Sequence, residues 1–259
     1  MTRIGLGVVL GALALACATG GTSFPVNNSL TLSGNLYRPE GGGPFPAVVL
    51  MPGCWGVSGY DNSEVEVSKL LRDSGYVAFL VDSLSGRRLS NVCGDSDTKE
   101  RLHTEAVDDA LAATRYLSSL AFVDASRIGL VGWADGGITA LITWMFRNTG
   151  VPGATPFAAI AAYYPYCFDT YNVSSASVPL LILIGESDDW CPATLCQELV
   201  ANAALHGREA SITIYPGATH RFDEPYTAPS PGHRYQIDPA VRQDSRRRLL
   251  EFFDRTLKK

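Results

Sequence analysis

Residues 128–137 read Ile128-Gly129-Leu130-Val131-Gly132-Trp133-Ala134-Asp135-Gly136-Gly137. Ile128 to Val131 is a short apolar run, the pattern of a strand covered on both faces. From Gly136 to Arg147 the pattern becomes helical. Between them Gly132 and Gly136 bracket three residues, the spacing of a nucleophile elbow, where a strand turns sharply into a helix. Glycine is needed at both ends because side chains there would strike the strand and helix backbones. The central seat of such a turn normally holds Ser, Cys or Asp. Here it holds Ala134, and a methyl group cannot attack a carbonyl. Asp135 is one position late, and a shifted frame would put Trp133 where a small residue is required.

The flanking chain alternates strands and helices. Ala47–Met51, Tyr76–Val81, Ala158–Tyr163, Leu180–Ile184 and Ile212–Tyr215 are short apolar runs, while Leu30–Tyr37 alternates as a half-buried antiparallel strand does. Helical spacing marks 62–74, closed by Gly75, and 106–117, 192–205 and 239–257. This order predicts an α/β fold with a mainly parallel central sheet and helices on both faces. Active groups then belong in loops at the carboxyl ends of the strands.

The chain has 259 residues, 46% hydrophobic and 18% charged, with formal charge −5. That composition excludes a disordered chain or coiled coil, and the absence of a basic excess argues against a nucleic-acid binder. Arg3 followed by an apolar run to Ala16 reads as a secretory leader over 1–16, too short to span a bilayer, ending in Ala14-Leu15-Ala16. Cys17 follows, so the leader is either simply cleaved or of the lipoprotein type, with a lipid anchor on Cys17 as the sole expected membrane attachment. Residues 17–29 read as an N-terminal extension and 30–259 as one domain, exported to the periplasm or beyond.

Two later loops carry titratable groups just past predicted strands. One is Gly185-Glu186-Ser187-Asp188-Asp189-Trp190-Cys191-Pro192, the other Pro216-Gly217-Ala218-Thr219-His220-Arg221-Phe222. The chain order elbow, acid, histidine is that of the α/β-hydrolase triad. His220 is expected to act as general base and Asp188 to orient its ring, with Asp189 as the competitor for the acid role. Arg87 and Arg88 lie past a strand end and are candidates to meet an anionic substrate, or else solvated surface residues. Trp55, Tyr60, Trp133 and Trp190 are candidate pocket walls or core residues. The four histidines show no metal-ligand spacing, Cys191 and Cys196 lack a second pair, and no phosphate loop is present. No metal and no cofactor are expected.

Together these segments, with Leu50-Met51-Pro52-Gly53-Cys54-Trp55-Gly56, Val81-Asp82-Ser83, Asn91-Val92-Cys93-Gly94 and Phe122-Val123-Asp124, resemble the dienelactone hydrolase family, in particular its exported branch. The resemblance implies an α/β-hydrolase fold and hydrolysis of small esters or lactones through a Cys or Ser acyl-enzyme. It also implies an oxyanion hole made by the backbone N–H groups of Cys54 and Asp135. Two departures stand out. Ala134 occupies the nucleophile seat, and Gly53 stands where members with a Cys nucleophile carry an acid, which favours Ser as the parent residue. Covalent catalysis is then expected to be absent or very weak. The alternative is a pseudo-hydrolase that binds or senses a small molecule in the periplasm.

Without Cys17 five cysteines remain, an odd number, so at least one thiol is free or pairs elsewhere. No sequence rule fixes their connectivity. We expect Cys54–Cys93 and Cys167–Cys196 with Cys191 free. Peptide mapping of the non-reduced protein by mass spectrometry should recover those two linked pairs and alkylated Cys191; a Cys191–Cys196 link would overturn the second.

Overall fold

The computed structural model describes residues 20–57, 62–168, 172–225 and 232–258. The leader, Cys17 and Tyr60 lie outside them. Eight strands form one sheet: β1 (Gly20–Pro25), β2 (Thr31–Tyr37), β3 (Phe45–Met51), β4 (Val77–Asp82), β5 (Val123–Trp133), β6 (Ala159–Tyr163), β7 (Leu180–Gly185) and β8 (Ala210–Tyr215). Their spatial order is β1-β2-β4-β3-β5-β6-β7-β8. Only the pairings made by β2 are antiparallel; all others are parallel. The helices are α1 (Ser63–Asp73), α2 (Ser96–Ser118), α3 (Asp135–Ile142), α4 (Ala193–Leu205) and α5 (Pro239–Leu257). This is the α/β-hydrolase fold.

The apolar runs become the inner strands. β6 and β7 are buried at every residue and β3 at every residue but its first, as strands covered on both faces must be. Three local differences from the sequence reading have physical causes. β1 lies in the stretch read as an extension; Gly20-Gly21-Thr22-Ser23-Phe24-Pro25 resembles a turn, but it pairs along β2 and buries Phe24. The sheet therefore begins about ten residues before residue 30. α2 starts ten residues before Ala106, because Asp95 caps it by accepting from the Thr98 N–H at 3.0 Å, an N-cap that the polar first turns obscured. The helix after the elbow ends at Ile142 and continues as a π-helical turn over Thr143–Arg147.

β5 lies between β3 and β6, so the elbow emerges near the middle of the sheet. Only glycine fits the backbone at these two positions. A Cβ on Gly132 would lie 2.0 Å from the Gly136 carbonyl oxygen, and one on Gly136 would lie 2.1 Å from that of Met51. Both obstacles are backbone and cannot rotate away. Gly136→Ala should therefore cost at least ~3 kcal/mol, the upper range for overpacking, read as a lowered midpoint in denaturant unfolding. A midpoint within ~0.5 kcal/mol of the parent would contradict this close approach.

Candidate active site

The sharp turn holds Ala134 at φ 49°, ψ −111°. This is a left-handed conformation that L-residues other than Gly rarely adopt and that costs on the order of 1–3 kcal/mol. The Ala134 N–H donates to the Tyr163 carbonyl at 3.1 Å, and its own carbonyl accepts from Ile138 N–H at 2.9 Å. The seat is thus held by β6 on one side and α3 on the other. Asp135 begins α3, and its carboxylate meets His103 Nε2 at 2.8 Å. Its side chain is therefore engaged by α2.

Asp188 and His220 meet as the loop order implied. Asp188 Oδ2 lies 2.8 Å from His220 Nδ1, with both side chains buried. The other oxygen, Oδ1, accepts from the backbone N–H groups of Trp190 at 2.9 Å and Cys191 at 2.8 Å. A carboxylate accepting at that nitrogen makes Nδ1 the proton carrier, which leaves the lone pair of a neutral ring on Nε2. The ring is stacked by Trp190, with centroids 5.2 Å apart, and met edge-on by Tyr164 at 4.7 Å. Asp189 is not the acid of the pair: it binds His233 Nδ1 at 3.2 Å and the Arg234 N–H at 3.1 Å.

A cavity of about 230 Å³ opens over this pair, lined among others by Cys54, Trp55, Trp133, Ala134, Trp190 and His220. Three of the four described non-glycine residues with positive φ line it: Ala134, Tyr164 and Arg221. Cys54, in the loop after β3, lines the cavity together with Ala134, and Asp135 follows the seat as the first residue of α3. Trp55 is half exposed, whereas Trp133 is buried, stacks on Tyr163 and donates from Nε1 to Asp223 at 3.0 Å.

Arg87 is a correction. It lies outside the cavity, where its guanidinium grips both oxygens of buried Asp109 at 2.8 and 3.0 Å, the Ser83 carbonyl at 2.7 Å and Glu105 at 3.3 Å. A fork so fully bonded anchors α2 to the end of β4 and offers nothing to a substrate. The cysteines pair as Cys54–Cys93 and Cys167–Cys196, with Cys191 free and buried. Potential ligand atoms of Asp188, Cys191 and His220 lie within 4.8 Å of one another. Asp188 and His220 already bond each other, however, and burial pushes the Cys191 thiol far up, so it holds its proton and is a poor metal ligand.

A second polar group in the cavity was not legible in the sequence. Glu64, in the first turn of α1, is buried and lines the cavity beside Glu224, Arg221 and Tyr235. Its Oε1 faces the Gly53 N–H at 3.5 Å, so an acid does stand beside Gly53 although residue 53 is not one. Asp223, fully buried behind them, accepts from Ser63 Oγ, Trp133 Nε1 and Tyr164 OH. Burial first, then the nearby charges of Glu224 and Asp223, push Glu64 up to about 8. Burial and Asp223 likewise raise Glu224, whose partner Arg221 opposes the shift at 3.5 Å. The one sequence cue was position: Glu64 shares the i, i+4, i+7 row with buried Ser68 and Leu71.

A histidine paired with a carboxylate and a strained elbow at the carboxyl end of β5 share one cavity on an α/β-hydrolase fold. The model of the dienelactone hydrolase family matches residues 32–257, and the chain belongs to that family. It is 29% identical over 203 residues, 73% of this chain and 78% of the other, to a Bradyrhizobium protein named "Probable 2-oxo-3-(5-oxofuran-2-ylidene)propanoate lactonase". A dienelactone hydrolase-like promiscuous phosphotriesterase from metagenomic libraries superposes with TM-score 0.77 at 20% identity, over 92% of this chain and 97% of that one. A thermophilic esterase from Thermogutta terrifontis superposes with TM-score 0.66 at 16% identity, over 91% of each chain. The structural likenesses show the fold.

The buried Glu64 carboxyl makes stability depend on pH. The native state keeps a proton that the unfolded chain releases above its ordinary 4.5. The stability it contributes is therefore full below that value and lost as pH rises through about 8. Between pH 5 and pH 9 the parent should lose at least ~2 °C more in Tm than Glu64→Gln, the shift expected for about 1 kcal/mol in a domain of this size. Parallel Tm curves would contradict the raised titration.

Proposed function

We propose that this protein binds carboxylic esters or lactones in the cavity over Ala134, with the carbonyl oxygen toward the Cys54 and Asp135 N–H groups. The single observation behind this reading is the 2.8 Å Asp188–His220 pair beside an elbow that keeps its strained geometry. Without an oxygen or sulfur at position 134, no acyl-enzyme forms. Hydrolysis then proceeds only through water deprotonated by His220 Nε2. Triad enzymes deprived of one member retain roughly 10³–10⁴-fold catalysis over water, and that sets the scale expected here. The named lactonase relative supports the lactone class, since a lactone is an ester closed on itself.

The second reading, a periplasmic binding or sensing protein, draws on the Ala134 methyl, which leaves a shaped pocket without its reactive atom. With either reading we propose that the chain is exported. The sequence of the leader supports export, and the two disulfides are compatible with an oxidising compartment. A lipid on Cys17 would be the one attachment to a membrane.

Ala134→Ser restores the hydroxyl to the seat beside His220. Turnover of a short-chain p-nitrophenyl ester should rise by more than 10³-fold over the parent chain. A variant that folds and gains no turnover would favour the binding protein, and a thermal-shift screen of lactones and aromatic acids would then identify its ligand.

A further inference from the structure

Hydrolysis leaves one group in the cavity without a task. Glu64 Oε2 is buried and has no hydrogen-bond partner among the described residues, and unsatisfied carboxyl oxygens inside proteins are costly. The carboxyl is close to the seat. Its Oε1 is 3.5 Å from the Gly53 N–H, and a Cβ on Gly53 would stand 3.5 Å from the Ala134 Cβ. His220, with its lone pair on Nε2, lines the same small cavity. In an intact triad the nucleophile oxygen stands between that nitrogen and the substrate carbonyl. Here only a methyl group lies there, so a C–H bond next to the carbonyl can approach the base directly.

A base, an acid and two oxyanion donors around one carbonyl, with no nucleophile, suit proton transfer better than acyl transfer. An oxyanion hole stabilises an enolate oxygen as well as a tetrahedral one. A carboxylic acid kept neutral by an apolar site is a known means of donating a proton or hydrogen bond in such chemistry.

We propose that this pocket isomerises unsaturated lactones by proton transfer, with His220 as the base and Glu64 as the acid. In a β,γ-unsaturated lactone, His220 Nε2 takes a proton from the α-carbon. The electron pair of that C–H bond becomes a C=C bond of a dienolate, whose negative oxygen is held by the Cys54 and Asp135 N–H groups. Collapse of the dienolate re-forms the carbonyl and moves the double bond to α,β, while the γ-carbon takes the proton from Glu64. Imidazolium and carboxylate remain. A proton passed from one to the other through solvent restores both, so nothing is oxidised, reduced or consumed. The high Glu64 titration keeps the acid loaded at neutral pH, with Asp223 and Glu224 raising it and Arg221 beside Glu224 as the facing cation.

The test is the purified parent chain with α-angelica lactone in D2O, followed by proton NMR. The ring protons next to the carbonyl should exchange, and the α,β-unsaturated isomer should appear, at least 10²-fold faster than in buffer, the low end for general base catalysis. His220→Ala at equal concentration should lose both. Glu64→Gln, nearly isosteric, should keep the exchange and slow isomer formation at least tenfold, a split that a purely structural role would not give. Exchange no faster than buffer overturns the proposal on the parent chain alone, even if a variant fails to fold. Equal loss of exchange and isomerisation in folded Glu64→Gln overturns the role of Glu64. The proposal shares its pocket with the ester-and-lactone reading but not its chemistry. If Ala134→Ser gains ester turnover while the parent gives no exchange, only the isomerase proposal falls.

Discussion

The backbone crossing at the end of β5 governs the rest of the structure. The Gly132 and Gly136 backbones pass so close to each other and to β3 that neither position accepts a Cβ. That approach forces Ala134 into a left-handed conformation and turns α3 directly out of the central strand. The proposed site is arranged around that point, with Asp135 at the start of α3, Cys54 in the loop after β3 and His220 in the loop after β8. An alanine tolerates the strained position no better than serine does, and the turn survives because the packing around it is over-determined. The turn therefore does not depend on which small side chain occupies position 134.

The second organising force is a buried negative charge. Asp223 is enclosed and accepts from Ser63, Trp133 and Tyr164, donors drawn from α1, β5 and the loop after β6. It thereby ties three walls of the cavity together. Burial above all makes it costly for Glu64 and Glu224 to ionise, and Asp223 adds to that cost. One carboxyl group therefore ties the walls of the pocket together and adds to the raised titration of its two neighbours. Low local polarity makes such coupling strong inside a cavity.

The parts of the site visible in the sequence are those written locally. Gly132, Gly136, Asp188 and His220 each sit directly past an apolar strand, so strand periodicity and chain order place them. Glu64 was missed because an acid in the first turn of a helix is ordinarily a favourable exposed charge, and nothing local shows that Asp223, some 160 residues away, closes over it. Arg87 was misread for the converse reason: a surface-looking arginine finds Asp109 on α2, twenty-two residues on. Gly20–Pro25, read only as part of an extension, is a strand because it pairs along the edge of β2. The family resemblance drew on several separated segments at once, and so held where single residues did not.

Cys54 is held by two independent ties. Its sulfur is bonded to Cys93, and its carbonyl accepts from Val92 N–H at 2.9 Å. One end of that bridge therefore carries the proposed oxyanion donor, and the other lies on a segment that takes no part in the sheet. The fold and the chemistry accordingly have different redox requirements. A chain made in a reducing compartment would still assemble its sheet around the elbow but would lose the covalent brace on its donor N–H. Soluble, folded material from such a source is no guarantee of a preorganised site.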